Sequence, residues 1–156
     1  MRPAALDAFL KKAHVPFTVL RYPAAFTAQH EAAASHTPGR LWAKTVVCMA
    51  DEEPVLAVVP AHFIVDLERL RALAKAMTVR LARENELADL WPECEPGATS
   101  PFLTRRCLRV FVDRGLVGEP ELVISAGTHT DAVRMHFGDF AELTQPVIGS
   151  IGQMRR

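Results

Sequence analysis

Residues 45–59 have the sequence TVVCMADEEPVLAVV, in which two apolar runs flank a short polar segment. The first run extends from Thr45 to Met49 and the second from Val55 to Val59. Valine-rich runs favour strands, whereas Asp, Glu and Pro between two such runs favour a turn. The pattern therefore predicts a buried β-hairpin.

Short helices and short strands are mingled on both sides of this hairpin. Helical spacing and capping residues predict helices over residues 2–13, 28–35, 84–91 and 138–144. A further helix follows Asp66, with an apolar face made of Leu67, Leu70, Leu73, Ala74 and Met77. Further strands are predicted over residues 17–22, 78–81, 109–112, 121–125 and 133–137. Because the regular rhythm of a doubly wound sheet is absent, we expect an α+β fold with one curved, mixed, barrel-like sheet and short surrounding helices.

Length and composition predict one soluble folded domain over residues 1–156. The chain is 49% hydrophobic and 23% charged, which is ordinary for a globular protein. Its longest apolar stretch, residues 55–65, contains Pro60 and His62 and is shorter than the roughly 18 residues of a membrane-spanning helix. The 3 cysteines have no CxxC spacing and indicate reduced thiols. We expect a cytoplasmic protein without a signal peptide or a membrane partner.

The formal net charge is zero, with 18 Lys plus Arg against 18 Asp plus Glu. Proteins that hold long nucleic acids through the phosphate backbone usually carry a basic excess, so this class is disfavoured. A small basic patch could still contact the end of an RNA, and we expect such binding to be weak and salt-sensitive. Candidate residues for such patches are Lys11, Lys12, Arg105, Arg106, Arg109, Arg155 and Arg156.

Familiar metal, cofactor and nucleophile motifs are absent, so we predict no metal and no cofactor. The 6 histidines lie outside metal-ligand spacing. Cys48 lies inside an apolar run, where a thiol is usually an inert small hydrophobe. Cys107 follows Arg106, whose charge could lower the pKa of the thiol, although such an arginine cluster is more often a solvated surface.

Three segments are better candidates for chemistry, although each alone also has a structural explanation. Lys44 directly precedes the most apolar strand, where its amine could bind a phosphate or simply extend to solvent. The loop from Gly97 to Pro101 could present backbone N–H groups to a carbonyl or serve as a plain connection. His129 lies at a turn between two strands, where it could donate to a substrate or cap the turn.

Taken together, these segments resemble the YbaK/ProX family, the free-standing relatives of the editing domain of bacterial prolyl-tRNA synthetases. The resemblance covers about residues 17–146. The matching pieces, in chain order, are Phe26-Thr27-Ala28-Gln29, Ala43-Lys44-Thr45-Val46-Val47, Val55-Leu56-Ala57-Val58-Val59-Pro60, Val65-Asp66-Leu67, Gly97-Ala98-Thr99-Ser100-Pro101-Phe102, Val110-Phe111-Val112-Asp113 and Ser125-Ala126-Gly127. Each piece is generic, but their joint order and spacing are fairly specific.

The resemblance implies the prolyl-tRNA synthetase-associated domain fold and a trans-editing hydrolase. Such an enzyme cleaves the ester between a wrong amino acid and the 3′-terminal ribose of a tRNA, most often alanyl- or cysteinyl-tRNA(Pro). It implies catalytic roles for Lys44, Gly97 and His129 and substrate-binding roles for Phe26, Thr27, Thr45, Val47, Ala98, Thr99, Ser100 and Pro101. The implied partners are the acceptor end of tRNA and a prolyl-tRNA synthetase or elongation factor.

Two other classes of function remain open at the level of the sequence. Members of the family often carry Asn where Thr45 stands, which favours a regulatory module that binds aminoacyl-tRNA or a nucleotide with little turnover. A third possibility is an interaction domain with Trp42 and Trp91 at a partner surface. The presence of both Lys44 and the Gly97 to Pro101 loop favours the enzyme.

Overall fold

The computed structural model describes residues 4–103 and 107–154. Within these ranges the α-helices are α1 (Ala4–Lys12), α2 (Ala28–Ala34), α3 (Leu67–Ala74), α4 (Glu84–Leu90) and α5 (Phe137–Thr144). The strands are β1 (Phe17–Arg21), β2 (Trp42–Ala50), β3 (Glu53–Pro60), β4 (Phe63–Val65), β5 (Val79–Leu81), β6 (Arg109–Asp113), β7 (Glu121–Ser125), β8 (Asp131–His136), β9 (Val147–Gly149) and β10 (Gly152–Met154).

The predicted hairpin is confirmed, and it is longer than the two apolar runs. β2 and β3 pair antiparallel from Ala43 opposite Pro60 to Ala50 opposite Glu53. Only Asp51 and Glu52 form the turn, with φ of 51° and 63°. Two positive φ values in succession match the right-handed twist of paired strands, which is why such short turns close hairpins.

Eight of the ten described strands join in one mixed sheet of order β1-β8-β7-β2-β3-β6-β9, with β5 paired to β2, and β4 and β10 form a separate two-stranded antiparallel sheet. β7 runs parallel to β2, β6 parallel to β3 and β9 parallel to β6. The predicted α+β class with a mixed sheet is therefore confirmed, whereas the small second sheet was not predicted. The expected barrel-like shape needs correction, because β1 and β9 are opposite edges of an open sheet in the described part of the chain.

β2 is paired incompletely on the side facing away from β3. Strand β7 pairs with Trp42 and Ala43, whereas β5 pairs with residues from Cys48 to Ala50. In the described residues no strand pairs with residues 44–47 on this side. The two short partners thus leave a gap between them along one edge of β2.

Apolar side chains cover both faces of the sheet. Leu6 and Leu10 of α1 and Phe140 of α5 are fully buried in one cluster, which also contains Val47. On the other face, Leu70 of α3 packs with Cys48 and other residues of the hairpin. Helix burial on each face follows from the predicted helical spacing of these residues.

Some sequence predictions differ from the structure at the ends of elements. Met77 is 84% exposed and lies beyond α3, because Lys75 ends the helix in a left-handed conformation with φ 57°. Phe137 begins α5 and does not continue β8. Of the four three-residue strands in the described residues, β5 was predicted and β4, β9 and β10 were not, because so few positions rarely establish an alternation.

The Asp113 side chain connects the end of β6 to β10 through hydrogen bonds. Its carboxylate is buried and accepts hydrogen bonds from the backbone N–H groups of Ile151 at 3.0 Å and Gly152 at 2.8 Å. It also accepts from the Gly115 N–H at 2.8 Å, in a short 3-10 turn, Arg114–Leu116. One buried carboxylate at the end of β6 therefore holds both the 3-10 turn and the start of β10 in place.

Across residues 4–103 and 107–154, none of the helices has the length and apolar character needed to cross a membrane.

Candidate active site

A cavity of about 390 Å³ lies at the gap along β2. β2 contributes the wall from Trp42 to Val47, and the start of α2 and the turn after β5 close the sides. The lining residues are Phe26, Thr27, Ala28, Gln29, Glu31, Trp42, Ala43, Lys44, Thr45, Val46, Val47, Ala61, Leu81, Ala82, Leu87, Gly97, Thr99 and Ser125. Seven of the eleven residues that the resemblance implies therefore line one cavity.

The start of α2 places Phe26 and Thr27 at the cavity. Thr27 is the N-cap, and its hydroxyl accepts a hydrogen bond from the His30 N–H at 3.1 Å, as its position before the helix predicts. The Phe26 side chain is 73% exposed, and its ring centroid lies 4.8 Å from that of His129. An exposed aromatic ring on a buried imidazole is a ready surface for stacking.

Lys44 and Thr45 leave opposite faces of β2, because successive strand residues alternate. The Lys44 ammonium donates a hydrogen bond to the Phe63 carbonyl oxygen at 2.5 Å. The Thr45 hydroxyl oxygen is buried without a hydrogen-bond partner in the described part of the chain. Val47 lines the cavity and is also buried in the core, so it contributes both to the cavity wall and to core packing.

The Gly97 to Pro101 loop presents only part of its length to the cavity. Gly97 has φ 82°, a conformation that favours glycine, and a Cβ added there would meet Cε1 of His129 at 3.4 Å. Gly97 and Thr99 line the cavity, whereas Ala98, Ser100 and Pro101 are buried behind it. The Ala98 carbonyl accepts from the Ser125 hydroxyl at 3.3 Å, and the Ser100 carbonyl accepts from the Trp91 indole at 2.7 Å.

His129 lies behind Gly97 and Phe26 and is only 8% exposed. Its Nε2 lies 2.6 Å from the Pro96 carbonyl oxygen, and its Nδ1 lies 3.5 Å from Oε1 of Glu31. Its backbone N–H donates to the Glu95 carboxylate at 2.7 Å. The imidazole is thus next to the cavity wall but does not line the cavity itself.

Glu31 was not predicted as a site residue. It is buried at the cavity floor, and the Tyr22 hydroxyl lies 3.3 Å from its Oε1. Burial raises the pKa of its carboxyl to about 7, against the lowering effects of His129 and Tyr22. A sequence signal existed, because Ala28, Glu31 and Ala32 have the i, i+3, i+4 spacing of a buried helical face.

Cys48 and both tryptophans are buried. Burial raises the pKa of the Cys48 thiol to about 11, which agrees with an inert packed residue. Trp42 and Trp91 are 1% and 3% exposed, so the proposed partner surface with exposed tryptophans is wrong. The described residues contain no group of three or more His, Cys, Asp or Glu arranged to hold a metal ion.

Of the predicted basic patch residues, Arg105, Arg106, Arg155 and Arg156 lie outside the described residues. Lys11 and Lys12 are exposed in the last turn of α1. Arg109 packs its guanidinium 4.9 Å from the Phe111 ring centroid and donates to the Ala74 carbonyl at 3.2 Å. Arg109 therefore contributes to packing at the start of β6.

The open mixed sheet thus carries a cavity that is bordered by a strand lysine and a glycine loop. Residues 22–143 match the aminoacyl-tRNA editing domain family, and the chain belongs to it. No curated protein is similar enough in sequence to count as a match.

Solved structures with the same fold include a proposed trans-editing enzyme for prolyl-tRNA synthetase. It is 22% identical with a TM-score of 0.86, and the match covers 98% of this chain and 99% of that one. A scaffold protein used for epitope grafting is 20% identical with a TM-score of 0.86, covering 99% and 100%. A hypothetical protein is 19% identical with a TM-score of 0.82, covering 95% and 99%. At these identities the likeness concerns the fold.

Proposed function

We propose that this protein is a trans-editing hydrolase that removes a small amino acid from mischarged tRNA, with alanyl- or cysteinyl-tRNA(Pro) as the substrate. The observation that carries the proposal is the position of Lys44 and Gly97 on the wall of one cavity, although they are far apart in the chain. Family membership supplies the class of reaction. The geometry supports a site for a small aminoacyl ester.

The reaction is hydrolysis of an activated ester. A water oxygen bonds to the carbonyl carbon, the bond from that carbon to the ribose oxygen breaks, and the ribose oxygen takes up a proton. The products are the free amino acid and the tRNA. We propose that the site positions the water and the neighbouring ribose hydroxyl beside the carbonyl, without a metal or a covalent intermediate.

The glycine loop is suited to stabilising the charge that develops on the carbonyl oxygen. No described residue accepts a hydrogen bond from the Gly97 N–H, and Gly97 has no side chain to block approach. Backbone donors fixed before the reaction are effective because they need no reorganisation as charge develops. In our proposal Gly97 supplies this donor, while Ala98, Ser100 and Pro101 hold the loop from behind.

Lys44 is proposed to bind the negatively charged end of the tRNA. Its ammonium currently contacts the neutral carbonyl oxygen of Phe63. A hydrogen bond to a phosphate oxygen is stronger than one to a neutral carbonyl, so an arriving phosphate can compete for the ammonium. Lys44 would thereby place the terminal nucleotide over the cavity.

Amino-acid selection would follow from the size of the cavity. Phe26, Thr27 and Val47 form walls, and Thr45 and Thr99 line the same space. Apolar pockets distinguish substrates that differ by one methylene by only about 1–3 kcal/mol. We therefore propose that the cavity excludes larger residues by steric clash.

We propose the acceptor end of tRNA as the partner, with a prolyl-tRNA synthetase or an elongation factor assisting delivery. The formal net charge of zero supports this arrangement, because few phosphates can be neutralised by the domain alone. We also propose that residues 1–156 form one editing domain.

The test is single-turnover deacylation of alanyl-, cysteinyl-, seryl- and prolyl-tRNA(Pro) by the wild type, Lys44→Ala and Lys75→Ala. Lys75 is an exposed lysine at the end of α3 and serves as the matched control. We expect release of one small amino acid with prolyl-tRNA spared, loss of that activity in Lys44→Ala and its retention in Lys75→Ala. Wild-type activity retained by Lys44→Ala would refute the role of Lys44. Absence of release by a folded wild type that binds these tRNAs would refute the proposed reaction.

A further inference from the structure

A chain of buried polar contacts connects α2 to the glycine loop. It runs from the Tyr22 hydroxyl to the Glu31 carboxyl, then to the His129 imidazole and finally to the Pro96 carbonyl. Glu31 and His129 are both nearly inaccessible to solvent. A buried carboxyl beside a buried imidazole is costly to maintain unless both are satisfied, so the arrangement calls for an explanation.

We propose that Glu31 is a positioning residue, which acts through His129 to hold the Pro96–Gly97 peptide in the orientation that the deacylation reaction requires. This inference rests on the proposed function, since the peptide matters for catalysis only if Gly97 donates to the substrate. It assigns to Glu31 a role that acts through His129 and the loop backbone.

The proton positions on His129 follow from its partners. A carbonyl oxygen only accepts hydrogen bonds, so Nε2 at 2.6 Å from the Pro96 oxygen must carry a proton. Nδ1 then faces Oε1 of Glu31 at 3.5 Å, and it has no hydrogen-bond partner among the described residues. The Glu31 carboxyl is the acidic group that faces this nitrogen. Glu31 thereby fixes which imidazole nitrogen faces the loop.

The Pro96 carbonyl and the Gly97 N–H belong to the same planar peptide unit. In a trans peptide these two groups point in opposite directions, and all described peptide bonds are trans. A donor that holds the Pro96 oxygen therefore also fixes the direction of the Gly97 N–H. The hydrogen bond to the Pro96 oxygen also polarises this peptide unit, which makes the Gly97 N–H a stronger donor.

The loop is held on the same side by two further contacts. The Glu95 N–H donates to the Gly127 carbonyl at 2.7 Å, and the Glu95 carboxylate accepts from the His129 N–H at 2.7 Å. These bonds fix where the backbone of the loop lies. They do not fix the rotation of the His129 ring, which Phe26 contacts at its face and Glu31 approaches at Nδ1.

The surroundings of Glu31 make its proton count sensitive to pH near neutrality. The charged or titratable groups around this contact chain are Tyr22 at the end of β1, His129 and Asp131 from the segment leading into β8, and Glu95 from the glycine loop. Burial is the largest cause that raises the pKa of Glu31, and the Glu95 charge raises it further. Above about pH 7 the Glu31 carboxyl loses its proton, and a carboxylate then faces Nδ1 of His129.

The first test uses nuclear magnetic resonance on the free wild-type protein. We expect His129 to carry a proton on Nε2 and the Glu31 carboxyl carbon to titrate near pH 7. A bare Nε2, or a Glu31 carboxyl that titrates near 4.5, would overturn the inference. Because no substrate is needed, this outcome does not depend on whether the proposed function is correct.

The second test compares deacylation by the wild type, E31Q and the control E68Q, in which an exposed carboxyl on α3 is changed in the same way. For E31Q we expect kcat to fall by at least about tenfold, less than the 10²–10³ lost when an oxyanion donor is removed. KM should stay within about twofold of the wild type, since positioning acts on the transition state. The limb of the wild-type pH profile near 7 should be absent in E31Q and present in E68Q. An unchanged kcat and pH profile in E31Q would refute the positioning role, whereas an inactive wild type would refute the proposed function.

Discussion

Nε2 of His129 donates to the carbonyl oxygen of Pro96 at 2.6 Å, and Pro96 precedes the glycine that lines the cavity. The imidazole that the resemblance implies as catalytic thus supports the cavity wall from behind. In the proposed reaction, a residue in this position would act by orienting the backbone, without contact with the substrate.

Replacing Gly97 by alanine should damage both stability and activity. Alanine in the left-handed region costs about 1–2 kcal/mol, and its methyl group would press on the His129 ring at 3.4 Å. We expect a lower midpoint in urea unfolding and a loss of deacylation. Gly118→Ala is the control, because a Cβ there meets nothing within 4 Å. Equal midpoints for the two variants would contradict this expectation.

The stability of the wild type should fall as pH rises from about 4.5 to about 7. Burial raises the pKa of Glu31 from 4.5 to about 7, so in this window the folded state retains a proton that the unfolded chain has released. Stability therefore falls with rising pH, since the unfolded state binds fewer protons. The measurement is urea unfolding at several pH values for the wild type and Glu31→Gln. Identical pH dependence in both proteins would argue against the raised pKa.

Shortening Val47 should relax the size limit of the cavity. Val47→Ala removes two methyl groups from the wall, and we expect release from prolyl-tRNA to rise by about tenfold or more relative to alanyl-tRNA. Val58→Ala is the matched control, because Val58 is buried in the same core cluster but does not line the cavity. The ratio of the two deacylation rates is the measurement. A similar change in both variants would indicate a general loosening of the core.

Removing the Asp113 carboxylate should destabilise the fold away from the cavity. Asp113→Ala leaves the buried N–H groups of Ile151 and Gly152 without their acceptor, which should cost about 2–4 kcal/mol. Asp89→Ala changes an exposed aspartate on α4 and should stay within about 0.5 kcal/mol of the wild type. Free energies of unfolding from urea titration provide the comparison. A loss below about 1 kcal/mol in Asp113→Ala would show that solvent or rearranged backbone replaces the carboxylate.

The sequence predicts the features that depend on local spacing. The hairpin follows from two apolar runs, and Thr27 and Asp66 were identified as helix caps because capping depends on neighbouring residues. Three-residue strands such as β9 escape this reasoning, because their pairing partners lie far away in the chain. Local patterns contain no information about such partners.

The sequence predicts the residues of the candidate site that lie in a recognisable motif, and it does not predict the others. Lys44 and Gly97 stand in recognisable segments and line the cavity. Glu31 gives no such signal, because an acidic residue in the first turn of a helix is ordinarily explained by the helix dipole. Its burial depends on β1 and on the segment leading into β8, which only the tertiary structure brings together.

The gap along β2 has a consequence for how such a domain changes its substrate. The size of the opening depends on where two short flanking strands stop, while the hairpin behind it carries the core. One added residue pair on β5 would narrow the opening, and one fewer on β7 would widen it, with the hydrophobic interior unaltered. If the cavity selects the aminoacyl group as proposed, its opening can change at these strand ends with little change to the core, whereas a change at Val47 alters both the cavity wall and the core.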